Sequence, residues 1–154
     1  MEEQIADLLA SARYGDMDDV VQCIESGVDI NGADDSGRTA LHMAAANGHV
    51  DIISYLLEKG ANVDAKNAEG NTSLHWACLN VQEGSARALL NAGASPSALN
   101  EHENTPMDEA LVRNADAIVS MIQEHSAAAS RAPENLSDPE SETEDAPNGS
   151  AADA

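Results

Sequence analysis

The stretch Thr39–His49, TALHMAAANGH, returns in altered form as Thr72–Gln82, TSLHWACLNVQ. Laid over one another, the two phrases set Thr39 against Thr72, Leu41 against Leu74 and His42 against His75, each pair 33 residues apart. The match extends outward, from Gly37 and Gly70 to Leu57 and Leu90 and on to Gly60 and Gly93. A fixed period of this length marks an array of small units, each unable to bury its own apolar face and therefore stacked on the next.

Within the phrase the residue types predict two short helices. Thr39, Thr72 and Thr105 stand where an N-cap belongs, with hydroxyls able to accept from the orphan amides of a first turn. Pro106 follows Thr105 at the first helical position, which suits its fixed φ, and Asp108 completes a capping-box pair at the positive end of the helix. Ala44 and Ala45 permit close helix approach. Gly48 provides a tight turn and Gly60 a positive-φ stop. Ile52, Ile53, Leu56 and Leu57 form one stripe of the second helix. As metal ligands His42 and His75 would lie a full repeat apart with no third ligand in the pattern, so they are read as architecture.

The unit 35–67, DSGRTALHMAAANGHVDIISYLLEKGANVDAKN, resembles the ankyrin repeat along its whole length. Repeat 68–100 keeps GNTSLHWA and ALLNAGA, while 2–34 and 101–125 fit the same register in weaker form. The resemblance implies an all-α solenoid over 1–125, with four helix-turn-helix repeats and short β-turn tips. Asp16, Asp19, Asp116 and Gln123 stand where the second repeat has His49, Ile52, Val50 and Leu57, as expected of end repeats with one polar face. In 68–100, Val81 replaces the turn glycine and Glu83, Ser85 and Ala86 replace Val50, Ile52 and Ile53, so that helix should pack less tightly.

The chain has 154 residues with 42% hydrophobic and 2% aromatic content, no Phe, and a net charge of −21. Small aliphatic side chains suit closely packed helices, and the acidity repels phosphate backbones, which argues against direct nucleic-acid binding. From Glu2 to Asp35 there are ten acids against Arg13 alone. Cys23 and Cys78 are isolated and predict neither a disulfide framework nor a zinc module. MEEQIADLLA lacks the basic region of a secretory signal, and no apolar run reaches membrane-spanning length. An intracellular, soluble chain, monomeric when free, is expected. Residues 126–154, with seven acids and one base, read as an acidic disordered tail. There Ser137 and Ser141 each precede a glutamate by three residues and are candidate phosphorylation sites.

No residue set assembles a nucleophile, a base and an oxyanion donor, and the glycines sit at turns rather than in a phosphate loop. The expectation is a non-enzymatic protein-binding module without cofactor or metal. By the family pattern, the groove positions include Tyr14, Asn47, Leu79 and Asn80, with Trp76 between helices and tips near Asp34, Asp35, Glu69 and Glu101. TALHMAAANGH, GNTSLHWACLN and the acidic tail together look like the small ankyrin chaperones of ribosome biogenesis. Those escort one basic KH-domain protein of the small ribosomal subunit, number three. The resemblance implies an ATP-independent chaperone of a basic ribosomal protein, cytoplasmic and nuclear. The alternative is a regulatory ankyrin inhibitor or scaffold that masks a kinase or transcription factor.

Overall fold

Three of the helices start directly after the threonine caps at Thr39, Thr72 and Thr105. In the computed structural model, which describes residues 2–136, the helices run α1 Glu2–Tyr14, α2 Met17–Glu25, α3 Ala40–Ala46, α4 Val50–Glu58, α5 Ser73–Leu79, α6 Glu83–Asn91, α7 Pro106–Val112 and α8 Asp116–Leu136. Among the described residues there is no strand. The chain divides into two compact units, Met1–Ser120 and Met121–Ala154, and the repeats described below lie in the first. The backbone of α8 continues past residue 125, where composition sets the start of the tail. Residues 137–154, with Ser137 and Ser141 and most of the expected disordered tail, lie outside the described residues.

Thr39, Thr72 and Thr105 all have extended backbone, and each hydroxyl accepts from the amide three residues on. The reciprocal half of the box distinguishes the copies. In the second and third repeats it is a histidine: Nδ1 of His42 accepts from the Thr39 amide at 3.2 Å, and Nδ1 of His75 from the Thr72 amide at 3.1 Å. An amide can only donate, so Nδ1 is bare and the neutral ring carries its proton on Nε2. That Nε2 donates to a carbonyl of the next repeat, Asn71 O for His42 and Asn104 O for His75, each at 2.9 Å. One imidazole thus caps its own helix and fastens the following unit. In the fourth repeat Asp108 closes the box at 2.9 Å from the Thr105 amide. A carboxylate can accept in that box but could not donate across to a further repeat.

Further polar ties join neighbouring repeats. The Ala68 amide donates to Ser36 O at 2.8 Å and the Glu101 amide to Glu69 O at 2.9 Å, so the turns stack tip on tip. Asn62 N meets Asn31 Oδ1, Ser95 N meets Asp64 Oδ1, and His49 Nε2 reaches the Arg13 carbonyl. Gly37 and Gly70 are required here. Both have positive φ, and a Cβ on either would meet the next turn's backbone at 3.0 Å.

Apolar residues fill the spaces between these ties. Leu8, Leu41 and Leu74 occupy one repeat position in α1, α3 and α5, and all are buried. Of the predicted stripe, Ile52, Ile53 and Leu56 are wholly buried in α4 and Leu57 is only partly covered. The expected looser packing of the third repeat does not show in the burial of α6, where Ser85, Ala86, Leu89 and Leu90 are all buried. There Ser85 takes the position held by Ile52 and Ile118, and its buried hydroxyl has no hydrogen-bond partner. Ser73 Oγ is in the same condition at the position where the second repeat has Ala40. A buried, unsatisfied hydroxyl costs about 1–3 kcal/mol. Cys78 is fully buried, with its thiol pushed up to about 12 chiefly by burial, whereas Cys23 is only partly covered.

Two outcomes follow. Ser73→Ala should raise unfolding stability by about 1 kcal/mol, seen as a higher urea midpoint at unchanged slope. Burial penalises the imidazolium and lowers the pKa of His42 and His75 from 6.5. Below 6.5 the unfolded chain therefore binds protons that the native rings refuse. Stability should hold above about 6.5 and fall by about 1.4 kcal/mol per pH unit for each histidine as pH drops from there towards the lowered native pKa. Urea titrations from pH 7.5 to 5 check this, and His42→Gln should remove one histidine's share of the slope.

Candidate functional site

Because α1, α3 and α5 pack side by side, the same repeat positions form rows across them. One row is Arg13, Ala46, Leu79; the next is Tyr14, Asn47, Asn80; a third is Ala10, Met43, Trp76. These rows, with Arg38 from the second turn, line an open groove of about 320 Å³ between α3 and α5 and its extension towards α1. Met43, Trp76 and Leu79 form the apolar floor, and Asn47 and Asn80 edge it. Each asparagine amide donates back to its own helix, to Met43 O and Trp76 O, at 2.8 Å. Trp76 is half-buried and held edge-on by His42, with ring centroids 5.3 Å apart. Its orientation is thus set by the imidazole that joins the repeats.

The structure brings Asn47, Trp76, Leu79 and Asn80 together and leaves Tyr14, 74% exposed, beside them in the adjoining cleft of about 240 Å³ with Arg13, Arg38 and Met43. The tip residues are a separate group. Asp35, Glu69 and Glu101 are exposed on successive turns.

Asp34 serves the turn instead. Its Oδ1 accepts from the Ser36 and Arg38 amides, and its Oδ2 lies 2.7 Å from Arg38 Nε. Burial draws the carboxyl upward, but the Arg38 and backbone hydrogen bonds outweigh it and hold Asp34 below the usual carboxylate range. Asn67 and Asn100 repeat the same double acceptance from amides two and four residues on. The Asp/Asn identity at this position is therefore turn chemistry.

Arg13 and Arg38 line the groove without standing among the expected groove positions, and Met43 shares the place of Trp76 between helices. The signal for Arg13 was present, since it shares the register position of Leu79. Apart from Asp34, which is paired with Arg38, no carboxylate lines the groove. The acids lie elsewhere: Glu2, Glu3, Asp7, Asp16, Asp18, Asp19, Glu25, Asp29 and Asp35 are all exposed on α1, α2 and the loop after them. Among the described residues the one ion pair made by Lys or Arg is Arg38–Asp34. No group of three His, Cys, Asp or Glu side chains could hold a metal ion, and no helix is long and apolar enough to cross a membrane, both among the described residues.

A family model for ankyrin repeats, in three copies, matches residues 8–100. The structure adds a fourth capped unit, begun by Thr105 and α7. No curated protein matches the chain.

At the rim, Val81 follows Asn80 with φ +53, where the first and second repeats have Gly15 and Gly48 at +79 and +76. A β-branched residue in the left-handed region is strained by about 1–3 kcal/mol, and Val81 is 44% exposed, so burial offsets only part of that. Val81→Gly should stabilise the domain by about 1 kcal/mol, measured as a rise in the midpoint of thermal or urea unfolding.

Proposed function

The chain belongs to the ankyrin-repeat family, whose arrays are protein–protein interaction modules, and from that premise we propose that this one shields a basic protein partner. The observation that carries the reading is the unneutralised acidity of the first repeat. Nine exposed carboxylates crowd α1, α2 and the following loop, and none of them is paired with Lys or Arg among the described residues. Like charges in such density raise the self-repulsion of the folded chain, a cost that a cationic guest removes. Such a field speeds encounter with a basic protein and discourages nucleic acid from competing for it. The exposed acids at Asp35, Glu69 and Glu101 extend it along the turns.

Within this class the resemblance to small acidic-tailed ankyrin chaperones supports a guest from the small ribosomal subunit. Free ribosomal proteins carry basic extensions meant for RNA. Covering them needs neither ATP nor a catalytic residue, only a rigid surface of opposite sign. The escort would operate where such proteins are made and where they are assembled, in cytoplasm and nucleus. The alternative, an inhibitor that masks a kinase or transcription factor, draws on the apolar groove floor of Met43, Trp76 and Leu79 and would not need the acidic repeat.

Capture from lysate on the immobilised protein, with mass identification of what is retained, tests the proposal. The main retained species should be a basic ribosomal protein. Its retention should fall steeply between low and high salt, as expected when several charge contacts are screened. Asp18→Asn, Asp19→Asn and Asp35→Asn combined should weaken it at low salt. A non-basic principal partner, or retention indifferent to salt and to these substitutions, would refute the reading and favour the inhibitor.

A further inference from the structure

The groove and the acidic repeat have opposite chemistry. We propose that the groove along α1, α3 and α5 binds a short apolar segment of the partner that carries a carboxylate, placed to meet Arg13. This deepens the reading of the array as a protein binder but does not require the partner as a whole to be basic.

The argument rests on which charges lie where. The chain has seven Lys and Arg residues against 28 acids, yet two of the seven, Arg13 and Arg38, line this one groove. Arg38 is fixed by Asp34, through Nε and Nη2 to the same oxygen, and its charge is compensated there. Arg13 has no carboxylate partner among the described residues. Its guanidinium lies 5.6 Å from the Tyr14 ring centroid, which steadies a planar fork while leaving its N–H groups available. The floor beside it is apolar. A lysine or arginine entering here would meet Arg13 and would be stripped of water against Met43, Trp76 and Leu79, with no unpaired carboxylate among the lining residues. A carboxylate flanking a leucine or aromatic anchor meets a guanidinium instead, and a charge-assisted hydrogen bond of this kind is among the stronger ones.

The surrounding acidity limits this preference to a short segment. The Debye length at physiological salt is about 8 Å, so one or two carboxylates at Arg13 are shielded from most of the first repeat's acids. A long acidic chain is not. The protein's own residues 137–154 are acidic but contain no large apolar side chain to occupy the floor, so they are the poorer occupant.

Trp76 is the sole tryptophan and stands in the groove, so its emission reports occupancy directly. Two short peptides serve as probes, both built on a leucine–phenylalanine core, one flanked by glutamates and the other by lysines. The full-length protein should bind the glutamate peptide at least about tenfold more tightly, a difference of roughly 1.4 kcal/mol. Exposed Arg13, changed to Glu, should abolish or reverse that preference while circular dichroism stays native. Tighter binding of the lysine peptide, no binding of either, or a preference untouched by Arg13→Glu would overturn the proposal. So would a shift of Trp76 emission on deleting 137–154 alone, which would name the tail as occupant, or a concentration-dependent shift with dimer formation, which would name a second copy. Asp18→Asn and Asp19→Asn should leave peptide binding unchanged. Loss of basic-protein capture with retained peptide selectivity would thus count against the acidic-face reading and not against this one.

Discussion

The joints from the second repeat to the third and from the third to the fourth depend on a neutral imidazole with its proton on the outer nitrogen. His42 and His75 each take one hydrogen bond from their own helix cap and give one to the carbonyl of the following repeat. If the ring were protonated, Nδ1 would face a backbone N–H donor-to-donor and the cap would fail. If the tautomer were reversed, the bridge would fail. Burial enforces the one state that satisfies both. It also explains why the histidine is absent from α7, where Asp108 suffices for a cap. The fixed ring in turn sets the edge-on position of Trp76, so the floor of the groove inherits its geometry from the joint between repeats.

The sequence carried the fold because the joint is local in writing and repeated in print. Thr, His, the turn glycines and the Ile52–Leu57 stripe recur at one spacing, and each has a single physical reading there. The site was less legible. Groove positions at Asn47, Leu79 and Asn80 followed from register, but side-chain identity in the flanking repeats does not follow along the same rows, so Arg13 and Arg38 were not legible there. Asp34 shows the converse failure. An acid on a tip looked like a contact residue, whereas its oxygens are spent on Ser36 and Arg38. No periodicity distinguishes a carboxylate facing solvent from one folded into its own turn.

The third repeat concentrates the departures from the consensus. Ser73 and Ser85 bury hydroxyls without partners, and Val81 holds a backbone conformation that Gly15 and Gly48 adopt freely. By register, Val81 faces Ala115, where the corresponding partners of Gly15 and Gly48 are His49 and Gln82. A small residue at 115 leaves the room that a side chain at 81 needs.

On the proposed reading, charge segregation gives the array two faces with different work. The exposed acids of the first repeat act at long range and with little geometric selectivity, since screening erases their detail within about a Debye length. The groove acts only at contact, where desolvation against Met43, Trp76 and Leu79 makes the sign of a single neighbouring charge matter. A surface of the first kind gathers a partner, and one of the second kind fixes its register. An array uniformly acidic across both would gather cationic chains without orienting them. Arg13, one base among ten acids in its stretch of sequence, is the residue that breaks that uniformity at the proposed contact.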